Sequence, residues 1–289
     1  MIKIFNPSIS KQILGGGHSF RRNIEKALQG QVEWVNSWQE CDVYLISSVT
    51  IVDKSEIYEA KRAGKKIILR VDNMPRKSRN LRMSPHERMR EFASMSDWII
   101  YQSKWAKEWI GSYIGFMEKS SVILNGVDTE IFKPMRIAYP LDYKIFMYIQ
   151  YNRDENKRMT EAFDMFTEEW LKNPKHILWL VGQFSPEIIA AGFDFFRGEQ
   201  FIYHGIITMP EGMASLMQKA DVLLYPSYSD ACPNTCVEAK ACGMEVWHKG
   251  YAGVGEACNL NDNSLDYMGK QYLQIFNQIT GEKNVNQNK

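Results

Sequence analysis

The chain predicts two α/β domains, each a parallel sheet with helices wound over both faces. Three observations lead there. Short apolar, β-rich runs alternate with helical patterns along the whole chain, an order that builds βαβ units rather than hairpins. Several of those runs are apolar at consecutive positions, as strands buried on both faces must be. The alternation breaks once, in "NGVDTEIFKPMRIAYPLDY", where two prolines and turn residues interrupt it near residue 138. The expected domains are therefore 1–137 and 138–265, with 266–289 forming a C-terminal helix and tail that could pack back on the first domain.

In the first domain "IKIFN", "QVEWVN", "DVYLISS", "KKIILRV", "DWIIYQS" and "SVILN" read as strands. The segments between them, "FRRNIEKALQG", "KSEIYEAKRAG", "SPHERMREFASM" and "KWAKEWIGSYIG", read as helices, several ending in glycine. The second domain repeats the order. Its strands are "KIFMYIQY", "HILWLVGQF", "QFIYHGII", "DVLLYPS" and "MEVWHKG", and its helices "NKRMTEAFDMFTEEWLKN", "PEGMASLMQKA" and "PNTCVEAKACG". The tail "NSLDYMGKQYLQIFNQIT" has apolar residues at helical spacing.

The 289 residues leave room for two cores. Apolar content of 45% and charged content of 24% are ordinary for a globular protein. No apolar run approaches the ~18 residues that span a bilayer, and "MIKIFNPSIS" lacks the apolar stretch of a signal peptide. A cytoplasmic location is the expectation. Five cysteines, an odd count, suit a reducing compartment rather than a disulfide framework. Cys232, Cys236 and Cys242 lack zinc-ligand spacing, so they read as packing residues and no metal is expected.

The net charge of +1 hides an asymmetry: residues 61–90 carry +9, leaving −8 on the remainder. Such a block is either a solvated face or a face for an anionic partner, a phosphate-bearing acceptor or the anionic cytoplasmic surface of a membrane. The acidic remainder and the lack of a DNA-reading motif disfavour nucleic acid.

The window "YPSYSDACPNTCVEAKACG" from Tyr225 to Gly243 is the richest in chemistry. It reads as strand end, loop and helix, with Pro233 in the first helical turn and Gly243 as the stop. A helix start directly past a strand's carboxyl end offers free N–H groups and the positive end of a dipole, which together suit phosphate. Asp230 lies in the loop, and Glu238 about five residues into the helix, roughly 7 Å along its axis. A diphosphate at the helix start would then have one carboxylate near each of its substituents: Asp230 toward a sugar and Glu238 toward a ribose, both groups whose hydroxyls carboxylates accept well. By themselves the two acids read as unrelated surface groups near a helix start.

The same window resembles the family 4 retaining glycosyltransferases of the GT-B fold. Their signature is two glutamates separated by seven residues in a frame like "PS…EgfPntxxEAmAcGxPVV". "PSYSDACPNTCVEAKACGMEVW" matches it at Pro226, Ser227, Pro233, Asn234, Glu238, Ala239, Ala241, Cys242 and Gly243. Asp230 stands where that family has its first glutamate, and Met244 and Glu245 stand where a variable residue and a proline are usual. "SVILNGVDTEIFKP", "YNRDENKRMTEAF", "ILWLVGQF" and "YAGVGEACN" resemble further family segments, and "GGGHSF" resembles its glycine loop after the first strand.

The resemblance implies two Rossmann-like domains facing a central cleft and transfer of a sugar, with retention, from a nucleotide diphosphate sugar, a UDP- or GDP-sugar, to a carbohydrate or lipid-linked acceptor. No cofactor or metal is implied. It assigns Arg153 and Lys157 or Arg158 to the phosphates, Asp230 to the donor sugar and Glu238 to the ribose. Cys232, Pro233, Asn234 and Thr235 fall at the helix start that meets the donor. Gly16 and Gly17 would let backbone approach it. On the acceptor side it points to His18, Asp72 and Arg76. Taken alone, "RDENKR" reads as a solvated turn, "GGG" as a flexible one and His18 as a packed or surface residue. A non-catalytic nucleotide-sugar-binding protein and a nucleotide-sugar epimerase are the alternatives. An NAD-dependent enzyme is disfavoured because no GxGxxG follows a strand.

Overall fold

The computed structural model describes residues 1–7, 16–49, 52–71, 85–115, 118–135, 142–151, 157–196 and 199–281. They form two compact units. The first runs from the amino-terminal strand to Gly126 and takes in the segment from Asp262 onward; the second spans Val127–Asn261.

The first unit has a six-stranded parallel sheet in the order β2-β1-β3-β4-β5-β6. The strands are β1 Lys3–Phe5, β2 Glu33–Trp34, β3 Val43–Ile46, β4 Lys66–Val71, β5 Trp98–Tyr101 and β6 Ser120–Val122. Its helices are α1 Gly16–Ala27, α2 Lys54–Arg62, α3 Pro85–Met95 and α4 Lys104–Ile114, joined by the distant α10 Leu265–Thr280. All four residues of β3 and five of six in β4 are buried, because helices cover both sheet faces. One core joins Ile4, Leu45, Ile68 and Ile100 of the sheet to Phe20 and Ile24 of α1 and to Met268, Tyr272 and Phe276 of α10. α10 lies close on α1, since a Cβ on Gly269 would sit 2.9 Å from the carbonyl oxygen of Ala27.

The second unit has a five-stranded parallel sheet in the order β11-β10-β7-β8-β9. Its strands are β7 Ile145–Gln150, β8 Ile177–Gly182, β9 Phe201–Gly205, β10 Val222–Leu224 and β11 Glu245–Trp247. Its helices are α5 Met159–Lys172, α6 Pro186–Phe195, α7 Pro210–Met217, α8 Asn234–Ala241 and α9 Val254–Cys258. The core is aromatic: Phe146 of β7 meets Phe166 of α5 edge-on at 5.4 Å, and Phe166 meets Phe196 at 5.0 Å. In each unit the chain winds one way from its first strand and then returns on that strand's other side. The topological switch points, where open α/β sheets bind ligands, are therefore the carboxyl ends of β1 and β3 and those of β7 and β10.

All eleven strand readings have a counterpart. The helix readings differ at four helices. α1 begins at Gly16, so Gly16, Gly17 and His18 belong to its first turn rather than to a loop; glycine costs little at a helix start, where the N–H groups need no intrahelical acceptor. Pro233 is the residue capping α8 rather than its first helical residue. α6 and α9 appear where no helix was expected. The basic block, too, is not one face. Lys61 and Arg62 are exposed, but Arg70 is buried and the half-buried Arg88 donates to the carbonyls of Val49 and Val52. Among the described residues no helix is long and apolar enough to cross a membrane.

Two glycines of the second unit test how the sheet end is built. Gly182 closes β8 at φ +117, where a Cβ would lie 1.9 Å from the carbonyl oxygen of Gln150. Gly243 ends α8 at φ +89 with nothing nearer than 3.7 Å. Gly182→Ala should destabilise the fold by roughly 2–5 kcal/mol, through backbone strain plus a clash with main chain. Gly243→Ala should cost only about 1–2 kcal/mol, from strain alone. Urea unfolding of the two variants side by side checks the ranking.

Candidate functional site

The switch point of the second unit brings together two segments 73 residues apart in sequence. Lys157 follows β7 and Asp230 follows β10. The Lys157 ammonium donates to Asp230 Oδ2 at 2.9 Å. The same oxygen accepts from the Tyr225 hydroxyl at 2.5 Å and the Ser227 hydroxyl at 2.9 Å. Lys157 also donates to Tyr225 Oη and lies 4.6 Å from the centre of its ring. The main chain completes the knot, with the Gly253 N–H donating to the Asp230 carbonyl at 3.0 Å. Asp230 Oδ2 thus accepts three hydrogen bonds, whereas among the described residues none reaches Oδ1.

Burial alone would push the Asp230 carboxyl up. The charge of Lys157 and the hydrogen bonds from Tyr225, Lys157 and Ser227 outweigh it, and hold the group at about 2. Burial and the neighbouring Asp230 charge push the Tyr225 phenol far up, so Tyr225 acts as a donor. The knot presents a permanent negative charge on Asp230 and a lysine ammonium at the mouth of the switch point.

Arg158 stands beside it. Its backbone is left-handed, at φ 52 and ψ 56, immediately before α5. Its guanidinium lies 4.9 Å from the centre of the Tyr228 ring, pairs with Glu161, and leaves Nε buried without a partner. Tyr228 in turn meets Tyr251 edge-on at 6.3 Å. The other described non-glycine residue with positive φ is Ala252, at 53, one position before Gly253. Backbone strain in this unit is therefore concentrated on the two segments that grip the Asp230 loop, and strain of that kind clusters where a site is held in a set geometry.

α8 starts beside the same loop. Cys232 and Pro233 are buried, and Asn234 and Thr235 open the helix half-buried. In its first turn the Cys236 N–H donates to the Pro233 carbonyl at 3.1 Å, while the N–H groups of Asn234 and Thr235 come too early to find an acceptor within the helix. Glu238 is half-buried one turn further in. Tyr151, at the end of β7, donates its hydroxyl to the Ile207 carbonyl at 2.7 Å; burial first, and then the charge of Glu238, push its phenol up to about 12. Tyr151 therefore ties the end of β7 to the segment after β9 and lies within electrostatic reach of Glu238.

Of the residues expected at a site, Lys157, Arg158, Asp230, Glu238 and the start of α8 all belong to this unit. Arg153 lies outside the described residues, as do Asp72 and Arg76. Gly16, Gly17 and His18 open α1 in the first unit. Sequence reasoning missed Tyr225, Ser227, Tyr228 and Tyr151. The first three flank Asp230 within five positions, so a loop that folds back on its own acid was a readable signal; Tyr151 was not. All five cysteines are free thiols, and Cys232, Cys236 and Cys242 are buried as packing residues. Among the described residues no group of three or more His, Cys, Asp or Glu side chains could hold a metal ion.

No protein-family model matches the chain, and no curated protein matches it by sequence. Solved structures do resemble it. Anabaena HepE, in complex with UDP and glucose, superposes with a TM-score of 0.67 at 12% identity, over 98% of this chain and 90% of HepE. Sucrose-phosphate synthase from Thermosynechococcus elongatus gives 0.63 at 13% identity, over 97% and 96%. TarM of S. aureus, in complex with UDP, gives 0.59 at 13% identity, over 81% of this chain and 48% of TarM. The two parallel-sheet units are those of the GT-B fold.

Two predictions follow from the knot. A carboxyl lowered from 3.8 to about 2 on folding stabilises the folded state above pH 4, and loses that contribution as pH falls toward 2. Asp230→Asn should therefore cost about 2 kcal/mol at neutral pH, and the gap to wild type should close between about pH 4 and pH 2 in urea titrations. A gap that persists unchanged at the acid end would show that the charge is not what Asp230 contributes. Ala252→Gly should stabilise the protein by about 1 kcal/mol, because it relieves a left-handed alanine; the thermal midpoint should rise.

Proposed function

We propose that this chain is a metal-independent, retaining glycosyltransferase of the family 4 type that moves a sugar from a UDP-sugar to an acceptor hydroxyl. The observation that carries the reading is the knot on Asp230 at the switch point of the second unit: a lysine and a partly satisfied carboxylate at the carboxyl ends of β7 and β10, beside the open start of α8. A diphosphate suits that ground, with the N–H groups of α8 and the charges of Lys157 and Arg158 stabilising its negative charge. Asp230 Oδ1 then accepts from the sugar, while Oδ2 keeps the loop in place. Glu238 accepts from the ribose hydroxyls. HepE, solved with UDP and also with UDP-glucose, supports uridine as the base.

In the reaction the bond between the anomeric carbon and the β-phosphate oxygen breaks, and the acceptor oxygen bonds to the same face of that carbon. The acceptor's proton passes to the departing phosphate. Charge therefore grows on the β-phosphate, where a lysine held by a carboxylate can shift toward it and do the most good.

A thermal-shift panel of UDP, GDP, ADP, CMP and NAD without added metal tests the reading. UDP at ~100 times its dissociation constant should stabilise by about 2.7 kcal/mol, and the others should do markedly less. No shift with any nucleoside diphosphate would overturn it. Glu238→Ala should weaken UDP by ~1.5–3 kcal/mol, roughly 10- to 150-fold, by calorimetry. NMR of the product from UDP-glucose should show the donor's anomeric configuration.

A further inference from the structure

The first unit holds a buried charge that has no charged partner among the described residues. Along the sheet face that packs on α1 and α10, Asn6, Ser47, Arg70, Gln102 and Asn125 occupy the carboxyl ends of successive strands, all at most 6% exposed. Two residues earlier, each strand or its continuation places an isoleucine or a leucine in the core. With side chains alternating between faces at every residue, the polar group continues the core face by one step. Arg70, on β4, is central. Its Nη2 donates to Gln102 Oε1 at 2.7 Å and to Asn125 Oδ1 at 2.9 Å, and its guanidinium carbon lies 3.7 Å from the centre of the Phe20 ring.

Both acceptors are neutral amides. Among the described residues no carboxylate lies within ion-pair distance of Arg70, and its Nε is buried with no acceptor. Asn6 accepts from the Ser47 hydroxyl at 2.9 Å, yet its Nδ2 is buried with no acceptor. His18 Nε2, in the first turn of α1, is a third buried nitrogen without a partner. An arginine brings a permanent charge into the fold, and a buried charge is stable only when paired. Asn6 follows β1, Arg70 lies at the carboxyl end of β4 and packs on Phe20 of α1, and His18 lies in the first turn of α1, so all three belong to the carboxyl edge of the sheet and the start of α1.

We propose that this edge of the first unit is a phosphate site centred on Arg70, and that the phosphate is carried by the acceptor. Donors that arrive from a strand end, a neighbouring strand and a helix start suit a tetrahedral oxyanion with several acceptor oxygens. A carboxylate would need only the flat fork of the arginine. That the phosphate belongs to an acceptor rests on the glycosyltransferase reading; the anion site itself does not.

The test is a titration of the intact protein with inorganic phosphate, against acetate at matched ionic strength, with saturating UDP present. It follows the thermal midpoint and the Arg70 Nε–H resonance, assigned by its loss in Arg70→Lys or, if that variant does not fold, through its contacts with Phe20. Phosphate should raise the midpoint and move the resonance saturably, acetate should not, and Arg70→Lys should weaken phosphate at least tenfold while UDP affinity stays unchanged. A resonance that does not respond to phosphate in the wild type, or an undiminished phosphate response in Arg70→Lys, would overturn the site. A phosphorylated sugar should move the resonance at lower concentration than inorganic phosphate; equal potency would remove the acceptor from the proposal. UDP binding is read separately, so failure of the nucleotide reading and failure of the phosphate site are distinguishable.

Discussion

A single carboxylate oxygen, Asp230 Oδ2, ties the segment after β7 to the loop after β10, and the second unit's site is arranged around that tie. A parallel sheet leaves its strand ends unconnected at the carboxyl edge, so loops from neighbouring strands need a reason to hold a fixed distance. Here the reason is electrostatic. One oxygen takes a lysine ammonium and two hydroxyls in a largely buried setting, where charge-assisted hydrogen bonds are strong and cooperative. Lys157 is thereby held on a carboxylate rather than left in water.

The two units solve the same topological problem with opposite electrostatics. Each switch point gathers polar side chains at the ends of otherwise apolar strands. In the second unit the positive charge of Lys157 finds an internal partner in Asp230, and the strained backbones of Arg158 and Ala252 brace the loops that present them. In the first unit Arg70 finds, among the described residues, only amide oxygens and an aromatic face. The difference follows from which residues occupy equivalent ends of the two sheets, because the architecture itself is indifferent to sign.

Much of this was legible in the chain. The strands could be read because runs such as "KKIILRV" and "KIFMYIQY" carry consecutive apolar residues, "IIL" and "IFMYI", which suits a sheet covered on both faces. α6 was hidden because "PEIIAAGFDF" is apolar nearly all round and carries no clear helical period, and α9 because five residues are too few to show one. The start of α1 was hidden by glycines that look like loop. At the site, spacing alone placed Asp230 in the loop before α8 and Glu238 within the helix. The grip of Lys157 on Asp230 could not be read, since nothing local records a contact made across the sheet by two crossovers. Arg70 was counted within a basic block, whereas its spacing from Ile68, two residues along a buried strand, already placed it inside.

The position of α10 bears on how the protein comes to be folded during synthesis. Leu265, Met268, Tyr272, Ile275 and Phe276 are buried in the core of the first unit, and burial of five such side chains contributes on the order of 7–15 kcal/mol, as much as the entire net stability of an ordinary domain. Until those residues have cleared the ribosome, the first unit has an open apolar flank along α1, although its sheet emerged long before. The second unit, nearly continuous between Val127 and Asn261, can close first. The first unit therefore cannot complete its core until the chain of the second unit has been made.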